Sequence, residues 1–390
     1  MSETESLLDI VRTIPDYRNA RGRIYTIESI RFCIVCGFMC GCYTAVDISD
    51  YIGLNFDFFS GLLGLKSVPS HDTVSLCLRK TDWCVLSEKL GKWLDDNFGE
   101  LYKKYGEKEM EMTAIDGKAI CGMTDRVNGG KPRYYMNAQK SGGTISVRSR
   151  EVGEKKNELS ELPGFISSLS IEGNVITIDA IGTQKAVIDA ILKKKAHYLL
   201  PVKSNQETLL ESIRAESERK RSDGSFGSLP YCSLVKKGHG RIETYECHTL
   251  VDTSFLLECL PKGSSFNTIG SIAVIDKTTS AKTGGKWEET GREAMYYITD
   301  LTDCNPLTLL ECKIDHWCIE ASHWKLDVIM REDFQTARKE NAGINMTIIR
   351  RLVMRIAQAS DNPKDKKLKY FMKHCFKDND FMLKCLLMSR

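Results

Sequence analysis

The sequence has little net charge: 55 Lys and Arg stand against 52 Asp and Glu, a formal +3 at pH 7. That excludes a chain-wide basic field as the means of holding nucleic acid, so any such surface must be local. It also has no long apolar run. The longest, residues 32–46, is too short and too interrupted by Gly to span a bilayer. The opening MSETESLLDIVRTIPDYRNARGR lacks the apolar core of a secretion signal. A cytoplasmic chain with no membrane attachment is expected. No Walker A pattern, dinucleotide fingerprint or HExxH is present. Those absences remove an ATP-driven accessory factor, a dehydrogenase and a zincin. There is no internal repeat and no long low-complexity linker; SERKRSDGSFGS comes nearest to a flexible boundary.

Cysteine, by contrast, is plentiful, with fifteen in the chain. Without a secretion signal these read as reduced thiols. Four of them, Cys33, Cys36, Cys40 and Cys42, crowd into CIVCGFMCGC. Structural zinc sites usually take their ligands as two separated pairs. Here 33, 36 and 40 follow i, i+3 and i+7, the spacing of one buried helical face. The reading is core packing, without zinc.

At 390 residues the chain has room for two or three domains, and 42% hydrophobic with 27% charged residues is a globular composition. Residues 1–108 read as a helical region. Within it lie a basic entry segment, an apolar helix over 27–46, and an amphipathic helix capped by Ser70 or Asp72 and running to about Lys80. That last element suits an ordinary helical hairpin, or half of a helix-turn-helix. From Glu111 the texture turns to strand. Strands are expected over 113–116, 133–138 and 144–152, with turns at Gly129-Gly130 and Gly142-Gly143. A helix over 157–169, a strand over 175–179, a helix over 184–194, a strand over 197–202 and a helix over 206–220 follow. Three strands and then alternating helix and strand is the order of an α/β, ribonuclease-H-like mixed sheet. Its first part is placed at 109–220. Residues 221–302 read as a β-rich insertion. Residues 303–390 complete the core with a helix over 306–330 and helices over 343–358 and 364–387.

The chemistry concentrates in DHWCIEASHWKLDVIMRED, residues 315–333. Read as one helix, it puts Glu320 on a face with His316, Trp317, His323, Trp324 and Asp327. Two more carboxylates end apolar runs: Asp116 in MTAIDGK and Asp179 in VITIDAIG. Sites in α/β folds lie off the carboxyl ends of such strands. Singly, each Asp is an ordinary strand-end turn and the Glu an ordinary ion-pair partner. Together they are the hard oxygen ligands that a two-metal phosphodiester site needs. His323, one turn from Glu320, would orient it or touch a phosphate, or would make a plain helix-face hydrogen bond, an equally good reading. Lys118, Lys203 and Arg241 are candidate phosphate contacts, although for each a plain surface role is as good a reading.

AIDGK, TIDAIGTQ, YLLPVKSNQ, HGRIE, YYIT and HWCIEASHWKLDV, in this order, resemble the DDE transposases of bacterial insertion sequences. The subgroup is the one that includes the H-repeat-associated proteins. The likeness runs from about Asp16 to the C-terminal helices. It implies Mg²⁺ or Mn²⁺ held by Asp116, Asp179 and Glu320, and DNA cleavage with strand transfer at the element's ends. It implies double-stranded DNA partners (terminal inverted repeats and target) and a homodimer in the DNA complex. Cys121, Ile314 and Ala321 depart from the family pattern. They leave open a non-catalytic DNA-binding descendant, or a nuclease that cuts without joining.

Overall fold

The computed structural model describes residues 6–21, 23–82, 84–85, 88–89, 92, 110–124, 133–140, 148–152, 158–238, 240–259, 265–360 and 367–387. The Gly129-Gly130 and Gly142-Gly143 turns lie outside them. The architecture is mixed α/β. Among the described residues nine strands form one sheet in the order β3-β2-β1-β4-β5-β9-β8-β7-β6. They are β1 (Met112–Ile120), β2 (Arg133–Lys140), β3 (Arg148–Val152), β4 (Val175–Ile178), β5 (His197–Val202), β6 (Tyr231–Gly238), β7 (Arg241–Leu250), β8 (Ser271–Thr283) and β9 (Lys286–Thr299). β1, β4 and β5 run parallel to one another, and every other pairing is antiparallel.

Side-chain alternation sorts the strands into two apolar faces. Ile115, Ile176, Ile178, Leu200 and Val274 pack with Phe165, Ile188 and Ile213. Those partners come from the helices Glu158–Ser167, Lys185–Lys193 and Glu207–Ser222. Ala114, Val175, Leu199, Ala273 and Ile275 pack on the opposite side with Leu309, Leu310 and Ile319. Buried on both faces, the central strands read as apolar runs. Residues 221–302 are continuous with this sheet, because β9 pairs with β5 from Leu199↔Thr299 to Val202↔Tyr296. The rest of β9 runs past the carboxyl end of β5 and overhangs that rim.

The N-terminal helices do not stand apart from the C-terminal ones. Ile30, Phe32, Cys33, Cys36 and Phe38 share a core with Ile349, Val353, Phe371 and Cys375. The fully buried Arg31 is satisfied there by the carbonyls of Val11, Ile14 and Pro15. The expected helix over 27–46 stops at Met39. Gly41 turns at φ +88°, and the Cys42 amide closes back on the Gly37 carbonyl at 2.8 Å. Glycine takes this left-handed end without strain. Cys33, Cys36, Cys40 and Cys42 are free thiols packed against this core. Burial pushes Cys40 up to about 12 and Cys42 up to about 11. Ser70, not Asp72, caps the helix His71–Lys80, accepting from the Thr73 amide at 3.3 Å. Among the described residues no helix is long and apolar enough to cross a membrane.

The expected helix over 306–330 is broken up. Pro306–Asp315 and Trp317–Trp324 are α-helices meeting at His316, and Lys325–Ile329 is a wider π turn. Arg331, at φ +53°, ends it. The helix over 364–387 is likewise two, Leu368–Lys377 and Asn379–Leu387.

Candidate active site

Asp116 sits inside β1, which continues to Ile120, rather than at its end. Its parallel neighbour β4 stops at Ile178, paired with Ile115. The next residue on each strand is therefore a carboxylate, Asp116 beside Asp179. Alternation places both on the face covered by the helix Trp317–Trp324. On that face Thr177 Oγ1 meets His316 Nδ1 at 2.9 Å, and His316 Nε2 lies 3.8 Å from Asp179 Oδ1. His323 Nδ1 lies 3.3 Å from Asp116 Oδ2. The Gly117 amide donates to Asp116 Oδ1 at 2.8 Å.

Glu320 opens on the same cleft as Asp179. Its carboxyl is held above the ordinary range, first by burial and then by Asp179 and Asp116, with His323 and Lys203 pulling the other way. Burial pushes the His316 imidazole below its ordinary value, against the attraction of Asp179 and Asp116. The carboxylates repel one another, and among the described residues no three His, Cys, Asp or Glu side chains stand at the spacing of ligands to one ion. The triad shares a rim; it does not meet at a point. Hard oxygen donors from three separate elements, charged against each other, are nevertheless the donor set that a divalent cation would relieve.

An open cleft of about 230 Å³ adjoins this rim, lined by Asp179, Lys203, Lys277, Glu293, Lys313 and Glu320 among others. Lys203 stands just past β5 and is exposed, as its place in the sequence suggested. Lys118 does not have the surface setting expected of a phosphate contact. It is 6% exposed. Its ammonium lies 2.6 Å from Asp327, 3.1 Å from Glu332 and 3.5 Å from Asp333. The wide π turn delivers Asp327 to it. Arg241 opens β7 on the exposed part of the β6–β9 ribbon, 3.4 Å from Glu243. His323 turns both ring nitrogens inward, to Asp116 and to Asn137. Neither is left for a phosphate.

Sequence reading missed Lys313, Asn137, Glu332 and Arg351. Lys313 lies seven residues before Glu320, two turns along the same stripe, and that spacing was the available signal. It is buried, with its ammonium 4.6 Å from the centre of the Tyr245 ring. Burial, aided by Lys277, lowers it from 10.5 to about 8, against Glu293 and Glu243. A lysine depressed in the fold costs stability while it is charged. The wild type therefore gains stability as pH rises from about 8 towards 10.5. Lys313→Met is expected to stabilise the protein at pH 7 by roughly 1–3 kcal/mol, a gain that fades across that window. Thermal melts of both proteins at neutral and high pH check it; a pH-independent difference counts against a buried cation.

Residues 8–94 match the DDE_Tnp_1-associated family model. The chain is similar to an "H repeat-associated putative transposase" of Escherichia coli K12 (YhhI), 26% identical over 91% of this chain and 90% of the relative. A "Putative transposase" of Escherichia coli O157:H7 (YncI) is 26% identical over 90% of this chain and 87% of its own length. The chain is thus similar over nine-tenths of its length to proteins named as H repeat-associated or other putative transposases, and its N-terminal part matches a model associated with the DDE transposases.

Proposed function

We propose that the chain is a metal-dependent transposase that cleaves DNA at insertion-sequence ends and transfers the strand, working in the cytoplasm. In this reading β1–β5 and their helices are a ribonuclease-H-like core, and β6–β9 are an insertion between Asp179 and Glu320. The observation that carries it is the side-by-side placement of Asp116 and Asp179, with Glu320 on the cleft that Asp179 also lines, its carboxyl raised by burial and then by the charge of both. Asp116, Asp179 and Glu320 would hold Mg²⁺ or Mn²⁺. When bound, such ions activate a water or a 3′-hydroxyl and stabilise the leaving oxygen.

The chain's own groups supply the rest. Gly117 and His323 fix the two oxygens of Asp116. His316, anchored on Thr177, faces Asp179. Lys203 and Lys313, opening on the cleft, attract phosphodiester oxygens, and Arg241 adds a cation further out on the ribbon. The exposed Trp317, also in the cleft wall, offers a flat apolar surface to a base. The partners are double-stranded terminal inverted repeats and target DNA, and two chains would join two ends as a homodimer. Incubating the protein with DNA carrying the repeats that flank its gene tests this. Mg²⁺-dependent nicking at the repeat boundary, followed by joining of a pre-cut end, is expected. Binding without nicking would favour a non-catalytic descendant, and nicking without joining a plain nuclease.

A further inference from the structure

We infer that His323 is a positioning residue for Asp116, held as its Nδ1–H tautomer by Asn137 and Arg351. The inference rests on the metal-site reading above for its purpose, but its geometry stands by itself. Asn137 lies directly across from Asp116 in the β1–β2 register, so both side chains leave the sheet on the same face. Asn137 is buried, and its amide is pinned from both ends. Arg351 Nε reaches Asn137 Oδ1 at 3.1 Å. A guanidinium has only N–H donors, so the group that it meets must be the oxygen. The amide nitrogen then points the other way, to the Tyr135 carbonyl at 3.3 Å and to His323 Nε2 at 3.2 Å. An Asn Nδ2 only donates. Nε2 of His323 must accept, and the ring proton must sit on Nδ1, which faces Asp116 Oδ2 at 3.3 Å.

The far end of the relay is anchored as firmly. Arg351 also donates to Glu332 at 2.6 Å and to the Thr347 carbonyl at 3.2 Å. Glu332 is fully buried and lies 3.1 Å from the Lys118 ammonium. A chain of groups, buried at Arg351 and Asn137 and half-buried at His323, therefore leads from the helix Ala342–Ala359 to one oxygen of Asp116, while Gly117 holds the other. Carboxylates that ligate metals are commonly oriented by such outer hydrogen bonds. The arrangement leaves His323 no ring nitrogen for DNA.

The test begins with the metal-free, full-length protein carrying ¹⁵N-labelled histidine. There are seven histidines, so comparison with His323→Asn assigns the signal. The expected spectrum shows protonated Nδ1 and bare Nε2 at His323. Protonated Nε2, or rapid averaging of the two forms, would overturn the relay. In Asn137→Ala the His323 signal should shift towards the Nε2–H form, and Mn²⁺ affinity should fall about 10–100-fold. His323→Asn keeps an N–H near the Nδ1 position and should retain more Mn²⁺ affinity than His323→Gln, which keeps one near Nε2. Equal losses in the two would count against the assignment. If metal-free DNA affinity falls in both while Mn²⁺ affinity holds, His323 is a phosphate contact and the inference is wrong. If the wild type binds no Mn²⁺, the metal-site reading fails, and the tautomer spectrum still decides the relay.

Discussion

Asp116→Asn should abolish DNA cleavage while leaving affinity for terminal-repeat DNA within about twofold of the wild type at one stated salt concentration. Asn keeps the shape of Asp, and its oxygen can still accept from the Gly117 amide, which now donates to Oδ1 at 2.8 Å. The backbone of β1, paired on both sides, has no reason to move. What is lost is the charge. Mg²⁺ depends on carboxylates where it has few protein ligands. The new amide nitrogen could also confront His323 Nδ1, which now lies 3.3 Å from a carboxylate oxygen. In the proposed function, grip on DNA would come instead from cations such as Lys203 and Lys313, and one negative charge fewer beside the cleft would help DNA approach. A gel shift and a nicking assay on the same DNA read both quantities. Unchanged nicking would remove Asp116 from the metal site. Loss of binding together with nicking would mean that the metal site is itself the main DNA anchor.

The second large effect is on stability. Lys118→Met should destabilise the fold by about 3–5 kcal/mol, the usual cost of breaking a buried ion pair from one side. Lys118 is 6% exposed and Glu332 is 0% exposed. Burial opposes the charge of Lys118, but Glu332, Asp327 and Asp333 more than offset it and hold its pKa above the ordinary 10.5. Burial likewise opposes Glu332, and Arg351, Lys118 and Arg350 outweigh it and hold that carboxyl below 4.5. The contact of Lys118 with Glu332 Oε2 is an ion pair rather than an aligned hydrogen bond, so its strength is Coulombic. Met fills the space of the stem but leaves Asp327 and Asp333 without that counter-ion and Glu332 with one cation fewer.

The pH window follows from the two directions. A lowered Glu332 contributes stability above its unfolded value near 4.5, lost as pH falls below it. A raised Lys118 contributes below its unfolded value near 10.5, lost as pH rises through the folded one. The gap between wild type and variant should therefore form a plateau between those limits and close at both ends. Urea melts across pH measure it. A gap under 1 kcal/mol on the plateau would show that Lys118 is a surface cation after all.

Much of this protein was legible before any fold was in view. The strand over 197–202 appears with its expected bounds: HYLLPV is a short apolar run between lysines 193–195 and Lys203, the pattern of a buried strand. The helices over 185–193 and 207–222 match their apolar periods to within a residue or two. The order of these elements and the carboxylates in their motifs were readable too. Period-two alternation already implied that Asp116 shares a face with Ala114, and Asp179 with Thr177.

What alternation does not carry is register between strands distant in sequence. That Asp116 stands beside Asp179 and across from Asn137 is decided by how β1 pairs with β4 and β2. The same holds for Lys118. As a residue two beyond an Asp it looked like a rim cation, yet a turn 209 residues later closes over it with Asp327. The helix bearing Glu320 looked continuous because local propensity favours helix throughout. The break at His316 and the π turn after Trp324 arise where Thr177 and Lys118 claim the side chains of His316 and Asp327. Local preference in a helix is worth tenths of a kcal/mol per residue, and a buried charge left unpaired costs several, so the tertiary contact prevails.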